Sequence, residues 1–228
     1  MPLRLLDVQQ SILRKNTTLA LDLRERFSQS GTYVFNFLSS PGAGKTTLLE
    51  ETLRRLAERY TVAALVGDQA TDNDAVRLAR SGAPVRQITT GAECRLDAQM
   101  ITGALSDFAP SGDLPDALAI ENVGNLICPA EYDLGEDLRV VVFSVTEGED
   151  KPLKYPLAFA TAHVAVLSKI DLSTACGFDR ASALANIERV HPSLPVLELS
   201  ARTGEGMDRW MAFLNERIAT KRGMIPAG

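Results

Sequence analysis

The stretch Phe37-Leu-Ser-Ser-Pro-Gly-Ala-Gly-Lys45-Thr46-Thr47 constrains this chain most, because an apolar strand runs into a glycine turn and straight out into a helix. In that order the turn is a phosphate cradle. Pro41, Gly42, Ala43 and Gly44 form the loop, and its two glycines let the backbone curl with its N–H groups facing inward. Lys45 reaches the β- and γ-phosphates, Thr46 offers a hydroxyl to Mg2+ with Thr47 beside it, and the helix opening there points its positive dipole end at the polyphosphate. The usual spacing is met except at its first position, where Ser39 stands in place of glycine. The flanks set this apart from an ordinary glycine-rich turn: 33–38 is rich in β-formers, and Leu48, Leu49, Leu53 and Leu56 recur at helical spacing over 47–59.

The same strand-then-acid order returns downstream. A buried-type strand at 61–67 ends in Gly67-Asp-Gln-Ala-Thr-Asp-Asn-Asp74 and leads into a short helix at 75–80. Such acids can form a solvated turn and helix cap. Ligands, however, bind outside the carboxyl ends of parallel strands, where Asp68 can hold Mg2+ or position water, with Asp74 a second candidate for the water. An apolar strand at 116–121 then ends in Glu121, placed to bind Mg2+ directly or through water, and Gly124 can offer its N–H to a γ-phosphate. The strand at 163–167 runs into Ser168-Lys-Ile-Asp171. Asp171 can accept from guanine N1–H and N2–H2, a charge-assisted pair that adenine cannot make, and Lys169 can lay its stem along the base. The bland reading of Lys169 and Asp171 is a salt-bridged strand end.

The rest of the chain keeps the alternation: a strand at 84–88, a helix at 97–108, a loop at 110–115, a strand at 138–145, a segment at 153–161, a helix at 178–191, a strand at 196–199 and a helix at 207–218. This is the pattern of an α/β, doubly wound, mostly parallel sheet. A helical stretch at 3–29 precedes it, giving an arm over 1–31 and a nucleotide domain over 32–228. A net charge of −5 argues against nucleic acid as the partner, since that requires basic surface. No run of about eighteen apolar residues exists, so no membrane span is expected and the protein is read as cytoplasmic. The cysteines, Cys94, Cys128 and Cys176, are too few and scattered for a disulfide framework, and any role is expected of them as thiols or metal ligands. Otherwise they are small buried hydrophobes, with Cys176 also fitting a surface loop. Cys94 sits before a helix, where the dipole favours a thiolate, and Cys128 follows the 121–124 segment.

Taken together, Ser40-Pro-Gly-Ala-Gly-Lys-Thr-Thr47, Glu121-Asn-Val-Gly124, Ser168-Lys-Ile-Asp171 and Ser200-Ala201 stand in the order of a P-loop GTPase. The longer strings 67–74, Thr90-Gly-Ala-Glu-Cys94, 121–129 and Lys151-Pro-Leu-Lys-Tyr-Pro156 resemble the HypB family of hydrogenase-maturation nickel GTPases, relatives of the urease-maturation GTPases. The resemblance runs from the arm to the last helix. It implies a SIMIBI-like P-loop NTPase fold, GTP hydrolysis with Mg2+ served by Lys45, Asp68, Asp74 and Glu121, and Ser200 and Ala201 in the base site. It also implies a GTP-dependent homodimer, Ni2+ or Zn2+ on Cys94 and Cys128, and a HypA-type nickel chaperone and the hydrogenase large subunit as partners. Three departures stand out: Ser168 replaces the family's asparagine, Arg95 replaces the histidine after the cysteine, and with only His163 and His191 there is no histidine-rich tract. Two thiolates do not close a metal site, but a two-fold dimer would bring four. The alternative is a nucleotide-dependent dimerisation scaffold for maturation partners that does not itself bind nickel. A urease-type GTPase is disfavoured, because the expected Cys-Pro-His string is absent.

Overall fold

A computed structural model describes residues 2–109 and 112–223, the first eight of these by backbone alone. Pro110 and Ser111 of the expected loop lie outside the described residues. The centre of the fold is β1 (Tyr33–Ser39), which is buried along its whole length. Alternation decides its two faces: Tyr33, Phe35 and Phe37 enter one core layer, while Val34 and Leu38 enter the layers opposite. Seven strands pair in the order β3 (Val85–Thr89), β2 (Val62–Asp68), β4 (Ala117–Glu121), β1, β5 (Leu138–Ser144), β6 (Val164–Ser168) and β7 (Val196–Glu198). Every pairing is parallel, and the register sets Glu121 beside both Phe37 and Val66, and Ser168 beside Ser144. The chain winds one way from β1 to β3 and the other way from β5 to β7. Ligands of such sheets bind where the winding reverses, outside the carboxyl ends.

The helices cover both faces. Helix α2 (Lys45–Leu56) presses Leu48, Leu49, Leu53 and Leu56 onto the aromatic face of β1, joined by Trp210, Leu214 and Ile218 of α9 (Met207–Lys221). Phe37 meets Trp210 edge-on at 5.9 Å, and the indole N–H donates to Thr52 Oγ1 at 2.9 Å. Burying each such side chain contributes roughly 1.5–3 kcal/mol. On the other face Ala20, Leu23 and Phe27 of α1 (Pro2–Ser30) pack with Ile101 and Leu105 of α4 (Ala98–Phe108), so this half of the arm shares a core with the sheet. Asn16 fastens it further, donating to the Asp133 carbonyl at 2.9 Å and accepting the Ala98 N–H at 2.8 Å. A third layer holds Phe143 against Phe159, under α6 (Pro156–Ala160) and α8 (Arg180–Val190).

Most expected elements stand within two residues of their sequence bounds. Two differences have a local cause. The single segment expected over 153–161 is two short helices, α5 (Lys151–Lys154) and α6, because Pro156 lacks the N–H to continue α5 and instead starts the next turn. The helix expected from residue 178 begins at Arg180, because Asp179 caps it by accepting the Ser182 N–H. Short helices α3 (Asn73–Ala79) and α7 (Ser173–Cys176) and 3-10 turns at Cys128–Glu131 and Ile170–Leu172 complete the element list.

Candidate nucleotide site and cysteine pair

The phosphate loop has the conformation its glycines permit. Gly42 and Gly44 sit at φ 78° and 90°, where side-chain-bearing residues are strained, and Gly44 caps α2 without any side-chain bond, leaving the first N–H groups of the helix for a ligand. Lys45 lies beneath the loop, its Nζ donating to the Asn122 carbonyl and standing 3.7 Å from Glu121 Oε1. Thr46 Oγ1 donates to the same Oε1 at 2.7 Å. Glu121 is 1 % exposed, and its Oε2 has no hydrogen-bond partner among the described residues. Burial pushes the Glu121 carboxyl above its ordinary pKa, with Lys45 and Thr46 pulling the other way. A buried carboxylate oxygen without a partner, beside a threonine hydroxyl, is a donor set that fits Mg2+. Gly124 closes this wall: a Cβ there would come within 3.3 Å of the Pro41 ring, so its absence lets the 121–124 segment lie directly on the loop.

These groups line a cavity of about 620 Å³ together with Asp68, Asp74 and Arg77. Asp68 Oδ1 accepts the N–H groups of Ala70 at 2.9 Å and Thr71 at 2.7 Å and the Thr71 hydroxyl at 3.2 Å. Partial burial raises its pKa, but those donors outweigh it and hold the carboxyl below the ordinary value, hence ionised. The turn-forming reading of Asp68 is thus met, and that turn engages only one of its oxygens. Asp74 stands in the first turn of α3, 3.9 Å from the Arg77 guanidinium. Arg77 is a site residue that the sequence reading missed. Its Nη2 donates to Thr47 Oγ1 at 2.9 Å, and its position one helical turn after Asp74 was the available signal.

A second cavity, about 360 Å³, adjoins the loop and is lined by Gly44, Thr47, Ser168, Lys169, Asp171, Ser200, Ala201 and Arg202 among others. Lys169 adopts the left-handed conformation (φ 58°), uncommon for a residue with a side chain, and its Nζ donates to the Gly42 carbonyl at 2.6 Å. This aligns its stem along the cavity, next to Gly44. The Ser200–Ala201 turn is held by Ser200 N–H to the Glu205 carbonyl and Gly204 N–H to the Ser200 carbonyl, each at 2.9 Å. The residues expected to hold phosphate and those expected to read a base thus line two adjoining cavities, which share Gly44, Thr47 and Lys169.

The cysteines correct the sequence reading. Cys94 and Cys128, expected as thiols, are joined as a disulfide with their Cα atoms 6.2 Å apart. They follow β3 and β4, whose loops converge above the same sheet edge although 34 residues separate them. Both loops are tied to the Glu121 segment. The Asn122 side chain accepts the Leu96 N–H at 3.0 Å, Asn125 donates to the Cys94 carbonyl at 3.4 Å and accepts the Ile127 N–H at 2.8 Å, and Asn125 bridges to Ser39. Arg95 turns its guanidinium onto the Tyr132 ring, 3.8 Å from the centroid, and pairs with Glu93. Among the described residues no group of three or more metal-type side chains comes together, and no helix is long and apolar enough to cross a membrane. Cys176 is an exposed thiol on α7.

Residues 33–198 match the family model described as CobW/HypB/UreG, nucleotide-binding domain. The hydrogenase maturation factors HypB of Rhizobium leguminosarum bv. viciae and Escherichia coli K12 are 48 % and 49 % identical to the chain, over 96 % and 92 % of it and 72 % of each relative. Two solved structures superpose closely: the hydrogenase maturation factor HypB of Archaeoglobus fulgidus (TM-score 0.82, 40 % identity, 90 % of this chain and 99 % of that one) and HypB of Helicobacter pylori in complex with nickel (TM-score 0.84, 36 % identity, 94 % and 99 %). On this match, these identities and these superpositions, the chain belongs to the HypB family of hydrogenase maturation factors, built on a CobW/HypB/UreG nucleotide-binding domain.

Proposed function

We propose that the protein hydrolyses GTP to GDP and phosphate with Mg2+, and that this cycle drives a homodimer that assists nickel insertion into apo-hydrogenase. The observation that carries the reading is the buried set Lys45, Thr46 and Glu121 beneath the phosphate loop, with one carboxylate oxygen that has no partner among the described residues. Phosphoryl transfer asks the protein mainly for positioning and charge. The loop N–H groups and Lys45 hold the β- and γ-phosphates, Thr46 and Glu121 hold Mg2+ with Asp68 near by, and Asp74 positions the attacking water. Asp171, with Lys169 along the base, selects guanine, and Ser200 and Ala201 complete the pocket. Nickel rests on the family membership and on the nickel-bound Helicobacter relative. In this chain the metal ligands are Cys94 and Cys128 in their reduced form, paired across a two-fold axis so that four sulfurs surround one Ni2+ or Zn2+. A HypA-type nickel chaperone and the hydrogenase large subunit are the partners, in the cytoplasm.

The test is phosphate release from GTP and from ATP by the purified protein with Mg2+. Turnover of GTP, with ATP at least about tenfold poorer, is expected; no release from GTP would overturn the reading. The disulfide and Arg95 favour a second reading, a nucleotide-dependent dimerisation scaffold that carries no nickel. It predicts no metal binding even after reduction.

A further inference from the structure

A line of four buried polar side chains, Asn122, Asn36, Glu136 and Arg139, crosses the middle of the sheet. Asn36 stands at the centre of β1, level with Ile120 of β4 and Arg139 of β5. Its neighbours on the same face, Val34 and Leu38, are apolar, and asparagine is a poor strand former. Its Oδ1 accepts from Asn122 Nδ2 at 3.4 Å, and its Nδ2 donates to Glu136 Oε1 at 3.3 Å. Glu136 Oε1 also accepts from Arg139 Nε at 2.8 Å, while its Oε2 accepts the Leu134 N–H at 2.7 Å. Arg139 ends the line by donating to the carbonyls of Ala130 at 3.0 Å and Tyr132 at 2.8 Å, just beyond Cys128. A buried ion pair with its amides is commonly no more stabilising than apolar side chains of the same volume, so stability alone does not account for the line.

The line has a direction. Glu136, paired with Arg139, offers only acceptors, so Asn36 turns its NH2 toward Glu136 and its oxygen toward Asn122. That oxygen takes the Asn122 NH2 and leaves Asn122 Oδ1 facing the Leu96 N–H, at 3.0 Å. An Asn122 amide turned the other way would set donor against donor. Asn122 is also where the line meets the phosphate cavity, because its carbonyl accepts from the Lys45 ammonium. A bound polyphosphate competes for that ammonium with full negative charge, which a neutral carbonyl does not match. We infer that Asn36 is a positioning residue: through Asn122 it carries the occupancy of the nucleotide site across the sheet to the 128–134 segment. That segment bears Cys128 and, at Asp133, the ion pair with Arg24 of α1. The inference goes beyond the function proposed above and rests on it only for nucleotide binding at Lys45.

Amide hydrogen exchange tests it, read residue by residue by NMR on the full chain with and without a saturating non-hydrolysable GTP analogue and Mg2+. The Leu96 amide reports on Asn122 and the Leu134 amide on Glu136, and both residues are fully buried. In the wild type both amides are expected to change their exchange rate by at least about threefold on binding, the scale of coupling through such networks. Asn36→Leu fills the site without polar atoms. There Leu96 is expected to respond as before and Leu134 to change by less than about 1.5-fold. A merely structural role for Asn36 would instead raise exchange at both amides in both states and leave both responses in place. A Leu134 amide that ignores the analogue in the wild type, or that still responds in Asn36→Leu, overturns the inference. So does loss of both responses in a variant that still binds the analogue, since Asn36 would then support the whole site. Should Asn36→Leu not fold, Asn36→Ser, too short to keep both bonds, takes its place. If the wild type does not bind the analogue, the nucleotide reading fails and this inference with it; binding with an unresponsive Leu134 leaves that reading standing and removes only this one.

Discussion

The phosphate cradle and the cysteine pair lie on the same sheet edge and share the Glu121–Asn125 segment, yet they are built by opposite means. The cradle comes from consecutive residues: a strand, two glycines at positive φ and a helix start bring the loop, Lys45 and Thr46 together within a dozen positions, and only Glu121 arrives from elsewhere. The cysteine pair needs the whole sheet to form, since its halves follow β3 and β4 and meet only through topology. The cradle's chemistry is fixed by charge and geometry, whereas that of the pair depends on its oxidation state. The proposed catalysis thus rests on residues close together in the sequence, and the proposed metal binding is conditional.

The largest effect is expected at Lys45. Lys45→Ala should abolish measurable GTP hydrolysis and weaken nucleotide binding at least about tenfold, since each charge-assisted bond lost costs roughly 1.5–3 kcal/mol, while circular dichroism shows the fold retained. Unchanged turnover would end the view that the cradle is the working part.

Glu121→Gln should lower Mg2+-dependent turnover by about 10²-fold, the scale of one preorganised electrostatic group. The same substitution also carries a pH signature. The folded pKa of Glu121 is raised, so without nucleotide or metal the folded state binds more protons between the ordinary and the raised value. This contribution to stability is fully present below the ordinary carboxylate pKa and is lost as pH rises through the folded one. Mg2+ affinity runs the other way, falling about tenfold per pH unit below the folded pKa. Glu51, held down at about 2 by its hydrogen bond to Arg54, works oppositely, so the quantity to measure is the difference between wild type and Glu121→Gln in denaturation midpoint against pH. No pH-dependent difference would contradict the buried-carboxylate account.

For the other half, the oxidised protein should hold no Ni2+ or Zn2+, and a thiol reductant should restore one ion per two chains. Cys94→Ala and Cys128→Ala should each remove it, as read by metal analysis after gel filtration. Retention by both variants would place the site elsewhere. The smallest effect is expected of Arg77. Arg77→Ala loses the bond to Thr47 and one positive charge at the cavity wall, and GTP turnover should fall about two- to tenfold. An unaltered rate would make Arg77 only a tether between α3 and α2.

The legibility of the molecule follows the same division. Sheet, helices and cradle were readable because each rests on short-range pattern: strand-forming residues in β1, leucines at helical spacing in α2, an acid at the ends of β2 and β4. Arg77 escaped because an arginine on a short exposed helix looks like any solvated charge until Thr47 is seen beside it. The coupling role of Asn122 and Asn125 escaped because their partners, Leu96, Cys94 and Ser39, lie 26 to 86 positions away. The Cys94–Cys128 bond escaped because a three-cysteine count carries no information about which loops meet.

If the proposed nucleotide and metal sites are linked through the shared Glu121–Asn125 segment, their coupling must be reciprocal, and that reciprocity is the most direct test. On reduced protein, metal affinity is measured with and without a non-hydrolysable GTP analogue, and affinity for the analogue with and without metal, at fixed protein concentration. The account predicts that each ligand tightens the other by the same factor, about fivefold or more, with dimer mass rising in step. Metal affinity that is identical with and without the analogue would contradict it.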